Sequence, residues 1–255
     1  MNYAIDVQNL TVAYDNRVVL SNVSWQVRAG SLAAVIGPNG GGKSTLLKSL
    51  LNLVSPAAGT VKIFNQNPKQ ARPRVAYLSQ ADEVDWEFPI SCFDVVLHGR
   101  LVHLNWWQRP SRQDRDAAYQ SLKLVGMEEL ANRPIGNLSG GQKQRIFIAR
   151  ALAQQADLII MDEPAAALDA AAQHQLLDLF FKLQQMEHTV VIATHDLNCL
   201  AAGFDSVLGL NQEVILAGTP GEVLNGESLT KLFAKHFPVI GPEGEVAMHD
   251  FSVDN

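Results

Sequence analysis

"LAAVIGPNGGGKST", residues 32–45, runs a short apolar stretch straight into a glycine-rich turn that closes on Lys43, Ser44 and Thr45. The apolar stretch has the length of a buried strand, and "LLKSLLNLV" (46–54) carries leucines at helical spacing. Gly37, Gly42, Lys43 and Ser44 fit G-x-x-x-x-G-K-[ST], a loop that cradles phosphate. The chemistry asks for these residue types. Phosphate needs backbone N–H groups at close range, which side chains would obstruct. Lys43 brings a point charge to the β- and γ-phosphates, and the Ser44 hydroxyl can ligate Mg²⁺. The helix that follows adds its positive end. The fixed positions recur by chance in roughly one chain in a hundred of this length. A strand before and a helix after make coincidence rarer still, so the chain is expected to bind a nucleotide.

Outward from this loop, apolar and polar residues alternate over 3–28 with turn residues Asp15 and Asn16 between two runs, a hairpin-like pattern. "TVKIF" (60–64), "RVAYL" (74–78), "DLIIMDEP" (157–164) and "TVVIAT" (189–194) read as further strands. Between Phe88 and Gln155 the character turns helical, with Ser111 and Asp114 in a capping-box arrangement. A helix from about Ala170 places Leu176, Phe180 and Leu183 on one face. "DSVLGLNQEVILAG" (205–218) reads as a hairpin turning at Asn211 and Gln212, and Thr219, Pro220 and Glu222 open a helix as cap, N1 and N3. The last residues, from about 231, are weakly patterned. Strands alternating with helices imply an α/β fold around a mainly parallel sheet.

The chain has 255 residues, 47% hydrophobic and 18% charged, with a net charge of −6. An acidic balance disfavours nonspecific nucleic-acid binding and direct adsorption to an anionic membrane. Membrane attachment would then come through a protein partner. Two cysteines, Cys92 and Cys199, form no CxxC pair, which fits a reduced, cytosolic setting. "MNYAIDVQNL" lacks the basic-then-apolar pattern of a signal peptide, and no apolar run approaches the roughly 18 residues of a membrane helix.

Further residues extend the nucleotide chemistry. In "LIIMDEP", Asp162 and Glu163 close an apolar strand, at the sheet edge where ligands of parallel sheets sit. Asp162 suits a Mg²⁺ held through water, and Glu163 would face the attacking water. At a usual pKa of about 4.3 a glutamate is a weak base. Phosphoryl transfer is largely dissociative, so Glu163 is read as positioning the water and accepting its proton late. His195 ends the next strand and could reach the γ-phosphate or that water. A second anion site is written in "NLSGGQKQR" (137–145), where glycines follow the good N-cap Ser139 at the start of a helix.

Taken together, these motifs resemble the nucleotide-binding subunit of ABC transporters over about residues 3–230. "GPNGGGKST" is similar to that family's Walker A motif, "LSGGQ" (138–142) to its signature and "LIIMDEP" to Walker B. Gln80 in "YLSQ" resembles the Q-loop glutamine, Asp169 in "ALD" the D-loop, and His195 the switch histidine. The resemblance implies a RecA-like P-loop NTPase core, an antiparallel β subdomain, and a helical subdomain over about 89–155. Residues 1–88 and 156–230 would form the ATP-binding core, with 231–255 as a tail. It implies nucleotide contacts from Gly37, Pro38, Asn39, Gly40, Gly41, Gly42, Lys43, Ser44 and Thr45, and adenine stacking on Tyr14. It implies Mg²⁺ held by Ser44, Gln80 and Asp162, with Glu163 and His195 catalytic. Two departures stand out: Gly41 replaces a common alanine or serine, and Ser79 precedes Gln80 where proline is common.

The same resemblance implies a partner. Two copies would pair head to tail, with Ser139, Gly140, Gly141 and Gln142 of one capping the ATP of the other. "VDWEFPISCFDVVLHGR" (84–100), "HLNWW" and "RPIGNLSGGQ" resemble the subgroup serving manganese, zinc or iron(II) uptake. Integral membrane permease subunits would then be partners on the cytoplasmic side of the membrane, with an extracytoplasmic metal-binding protein acting indirectly. Trp86, Phe88 and Trp106 would either pack the helical subdomain or line the groove for a permease helix. His98, His103 and the pair His249 and Asp250 have no ligand spacing, so no transition-metal site is expected in this chain. Rival readings are an importer of an iron chelate or vitamin, a soluble ABC-type ATPase of DNA maintenance, and a small P-loop kinase or GTPase. The second wants a long heptad insertion, which is not present; the third would have no "LSGGQ" or "ALD", and a GTPase would show a guanine motif, which is absent.

Overall fold

The computed structural model describes residues 2–15, 17–79, 88–166, 168–195, 203–233, 239–240 and 246–247, the last two pairs by backbone alone. The predicted hairpin forms from β1 (Tyr3–Tyr14) and β2 (Arg17–Arg28), antiparallel, with Tyr14 opposite Arg17. β3 (Leu32–Ile36) leads through the glycine loop into α1 (Lys43–Leu50). β4 (Ala58–Ile63) joins β1 on its other side, so a three-stranded antiparallel sheet runs β2-β1-β4. The short α2 (Pro68–Ala71) precedes β5 (Val75–Leu78).

A helical layer follows: α3 (Cys92–Leu97), α4 (Arg112–Leu124) and α5 (Gly140–Ala153). The capping box predicted for α4 is present, with the Ser111 and Asp114 side chains each bonded to the other's backbone N–H. Asp114 also takes Arg100 Nε at 2.9 Å, and Arg100 Nη1 donates to Ala153 O at 2.9 Å, which clips the start of α4 to the end of α5. The Ser111 hydroxyl, then Arg100, hold the Asp114 carboxyl down at about 2, below its usual 3.8. β6 (Leu158–Asp162), α6 (Ala170–Gln185) and β7 (Thr189–Thr194) return to the sheet. β8 (Ser206–Asn211) and β9 (Glu213–Gly218) form the predicted hairpin, with Gln212 at φ 64 in its turn. After it come α7 (Pro220–Val223), opened by Thr219, and α8 (Gly226–Phe233). Residues 239–240 pair with 246–247 as two short antiparallel strands in the otherwise weakly patterned tail.

The central sheet has six strands in the order β5-β6-β7-β3-β8-β9, parallel except for the β8–β9 pair. Its inner strands β3, β6 and β7 are buried along their whole length because both faces are covered. Side chains alternate across it with period two. Leu32, Ala34 and Ile36 of β3 join a core with Phe180 of α6 and the helical layer, while Ala33 and Val35 face α1 and the β1–β2 hairpin. β6 divides the same way, Ile159 and Met161 against Leu158 and Ile160. Each such fully buried Leu or Ile is worth about 1.5–3 kcal/mol relative to exposure. The two cores clamp one sheet and leave its carboxyl edge open.

Candidate functional site

Strand order brings the motifs together. β7 lies between β6 and β3, with Ile36 opposite Thr194 and Asp162 opposite Ala193. The residues following these strand ends, Gly37, Glu163 and His195, therefore meet at one edge. Between the glycine loop, Glu163 and His195 lies a cavity of about 340 Å³, with Val19 of β2 on its wall.

The glycines of the loop have steric reasons. Gly40 and Gly42 sit at φ 76 and 95, where an L side chain is strained. A side chain on Gly37 would run into the Leu210 carbonyl. Gly41, a departure from the family pattern, is also fitted: a Cβ there would stand 2.9 Å from Leu210 O and 3.0 Å from Pro38 O. Gly42 caps α1 without a side-chain hydrogen bond, which leaves the first-turn N–H groups for a ligand. Lys43 is buried, its Nζ donating to Gly37 O at 2.9 Å and Pro38 O at 3.3 Å, with Glu163 Oε1 at 3.5 Å.

Glu163 is held at φ 49, an unusual conformation for a non-glycine residue, by its own N–H to Ala193 O at 2.9 Å. Its second oxygen accepts from His195 Nδ1 at 3.0 Å. The sequence reading set both residues at one edge without pairing them with each other. Beneath them Asp162 is buried at 6% exposure, and its carboxylate takes a hydrogen bond from Ser44. Burial, first, and then the Glu163 charge push its pKa up, against the pull of Ser44 and Lys43. Asp162 Oδ1 is buried with no hydrogen-bond partner. A buried carboxylate oxygen left bare is costly unless a cation meets it.

Tyr14, at the end of β1, is 42% exposed, and it is Val19 that stands on the cavity wall. Gln80, Trp86, Cys199, His249 and Asp250 lie outside the described residues. Asp169 caps α6, its Oδ1 accepting from Ala172 N at 2.7 Å. Ser139 caps α5 in a second capping box: Gln142 N donates to Ser139 Oγ at 3.3 Å and Ser139 N to Gln142 Oε1 at 3.0 Å. Residues 139–142 line no part of the cavity around Lys43, and Ser139 and Gly140 are exposed.

Two aromatics do not pack the helical layer. Trp106 is 92% and Phe88 60% exposed. Sequence reading missed a separate, mostly apolar depression of about 160 Å³ lined by Leu50, Leu51, Leu53, Pro68, Val75 and Tyr77, with Arg72 at its wall, beside the strand that leads to Gln80. No periodicity signals it, because its walls come from three separate elements. His103 Nε2 sits 2.8 Å from Gln154 O, a structural contact. Among the described residues no group of three or more His, Cys, Asp or Glu is placed to hold a metal ion, and no helix is long and apolar enough to cross a membrane.

The sequence profile of the family described as ABC transporter matches residues 20–166. The chain is 39% identical to the manganese transport system ATP-binding protein MntB of Halalkalibacterium halodurans, over 96% of this chain and 98% of that one. It is 44% identical to the zinc transport system ATP-binding protein TroB of Treponema pallidum, over 85% and 81% respectively. A solved structure described as an inward-facing conformation of a metal-chelate type ABC transporter superposes with a TM-score of 0.83 at 36% identity, covering 92% of this chain and 90% of that one.

Proposed function

The chain belongs to the ABC transporter family as an ATP-hydrolysing subunit, and from that premise we propose that two copies close head to tail around ATP to drive passage of a divalent transition metal through membrane permease subunits. The carrying observation is the separation of the two phosphate-ready ends. The glycine loop and Glu163 share one cavity, while the capped, exposed start of α5 stands outside it. An anion end with no phosphate of its own suits the γ-phosphate of a second copy. Such a shared anion supplies the differential affinity that a two-state switch requires.

The chemistry follows from the contacts. Entering phosphate oxygens outcompete the Gly37 and Pro38 carbonyls for Lys43. Lys43 then leaves Glu163, and the freed carboxylate orients a water in line with the γ-phosphorus. The bond to the β–γ bridging oxygen breaks as the water oxygen attacks, and the water's proton passes late to Glu163. His195 orients the Glu163 carboxylate through Oε2 and can reach the phosphate by rotation. Mg²⁺ fits the bare Asp162 Oδ1 and the Ser44 hydroxyl, with Gln80 as a further ligand; when bound it neutralises charge on the transferring phosphoryl group.

The metal cargo rests on the manganese and zinc transport relatives. The depression beside β5, with exposed Phe88 and Trp106, suits cytoplasmic helices of permease subunits. On this reading the chain lies peripherally on the cytoplasmic side, with an extracytoplasmic metal-binding protein acting through the permease. Co-purified with its permease, the chain is expected to raise its ATPase rate with one of Mn²⁺, Zn²⁺ or Fe²⁺ and the matching binding protein. Indifference to all three would remove the metal reading and leave an importer of a chelate or vitamin.

A further inference from the structure

The helices α5 and α6 begin side by side. A Cβ built on Gly141 would stand 3.1 Å from the Cβ of Ala172, so the first turns nearly touch. One turn further along both helices, Arg145 Nη2 donates to Gln175 Oε1 at 2.7 Å. The other arm of the guanidinium, Nη1, donates to Val125 O at 3.4 Å, just past the end of α4. Deeper in α6, Lys182 Nζ donates to Leu124 O at 2.9 Å. The pairs 141/172 and 145/175 advance in the same direction, so the two helices run alongside with their starts together. Those starts are capped by Ser139 and Asp169, and the Ser139 end is the one read above as reaching toward the second copy.

We infer that Gln175 is a positioning residue: by holding Arg145 it locks the signature helix onto the helix that begins at Asp169, so that the Ser139 end meets the partner's nucleotide with α6 as its rigid support. The inference rests on the head-to-tail reading. Gln175 itself is exposed and touches no part of the nucleotide cavity, so its effect must pass through Arg145. Gly141 belongs to the same joint. Its missing side chain lets α5 approach α6 closely enough for the Arg145 hydrogen bond to form. No carboxylate pairs with Arg145 among the described residues, so the amide oxygen of Gln175 is the side-chain acceptor that fixes its direction.

The test uses Gln175→Leu, which removes the acceptor at an exposed position, and Gln175→Glu, which keeps one. Both are expected to bind MgATP as monomers like the parent. In Gln175→Leu the ATP concentration needed for half-maximal dimerisation should rise about tenfold, the scale of one hydrogen bond to a charged donor. Gln175→Glu should return it to the parental value. Mixed dimers then ask whether the effect acts across the interface. Lys43→Ala disables one chain's own nucleotide site. With Gln175→Leu in that same chain, the surviving site faces a loosened signature and turnover should fall. With Gln175→Leu in the opposite chain, the surviving site faces an intact signature and turnover should hold. Equal turnover in the two arrangements, or failure of Gln175→Glu to restore dimerisation, overturns the inference. If the parent itself does not associate on MgATP, it is the head-to-tail reading that falls.

Discussion

His195 Nδ1 donates a hydrogen bond to Glu163 Oε2 at 3.0 Å, across the ends of two neighbouring parallel strands. The other oxygen of the same carboxylate lies 3.5 Å from Lys43 Nζ. One glutamate thus joins the strand-end histidine to the lysine of the glycine loop, and in the proposed reaction an entering nucleotide parts the second contact.

Glu163→Gln keeps the shape and removes the negative charge. It is expected to bind MgATP at least as tightly as the parent, since Lys43 no longer has a carboxylate partner. Turnover should fall by about 10²–10⁴-fold, the range for loss of a positioned proton acceptor. Equilibrium binding beside single-turnover hydrolysis separates the two effects; near-parental hydrolysis would remove Glu163 from the chemistry.

Asp162→Asn should separate stability from function. The Asp162 pKa is raised in the folded chain, so its ionised form at neutral pH costs stability, and that cost eases as the pH is lowered toward the raised value. The variant is expected to melt higher than the parent without nucleotide, by about 2–4 °C for each kcal/mol recovered. It should also lose Mg²⁺-dependent hydrolysis. Thermal melts with and without MgATP decide, and an unchanged or lower melting point in the absence of nucleotide counts against the account of Asp162.

Asp114 works in the opposite direction. Its folded pKa of about 2 lies below the ordinary 3.8, so its stabilisation is complete above that ordinary value and is lost as the pH falls from there toward 2. Asp114→Ala should cost about 2 kcal/mol at neutral pH, by removing the reciprocal half of the α4 capping box and the carboxylate partner of Arg100. Urea midpoints of parent and variant should converge near pH 2; a gap of constant size would show that the loss is packing alone.

Ser139→Arg fills the anion end of α5. Nucleotide binding to the single chain should be unaffected, because Ser139 lies outside that cavity. ATP-driven dimerisation should be lost and hydrolysis should drop about a hundredfold or more, as when an oxyanion-binding group is removed. Sedimentation with MgATP reads the first and a coupled phosphate assay the second.

The sequence by itself determined the elements and the residue types that stand at their ends. The glycine loop, the acidic strand end, the caps Ser111, Ser139 and Thr219, and the hairpin at Gln212 are local, and their backbone geometry is written in adjacent residue types. The unbroken apolar run of β3 likewise suits a strand buried on both faces, its side chains alternating between the two cores. Only the tertiary structure decided which strand lies beside which, and hence that β7 carries His195 to Glu163. It alone gave Gly41 its neighbour Leu210 and Arg145 its acceptor Gln175. It also showed Trp106 facing solvent, where its residue type had left packing open. The reason is physical: these contacts join residues far apart in the chain. Hydrophobic periodicity says that a face will be buried, whereas strand order and helix register choose what buries it.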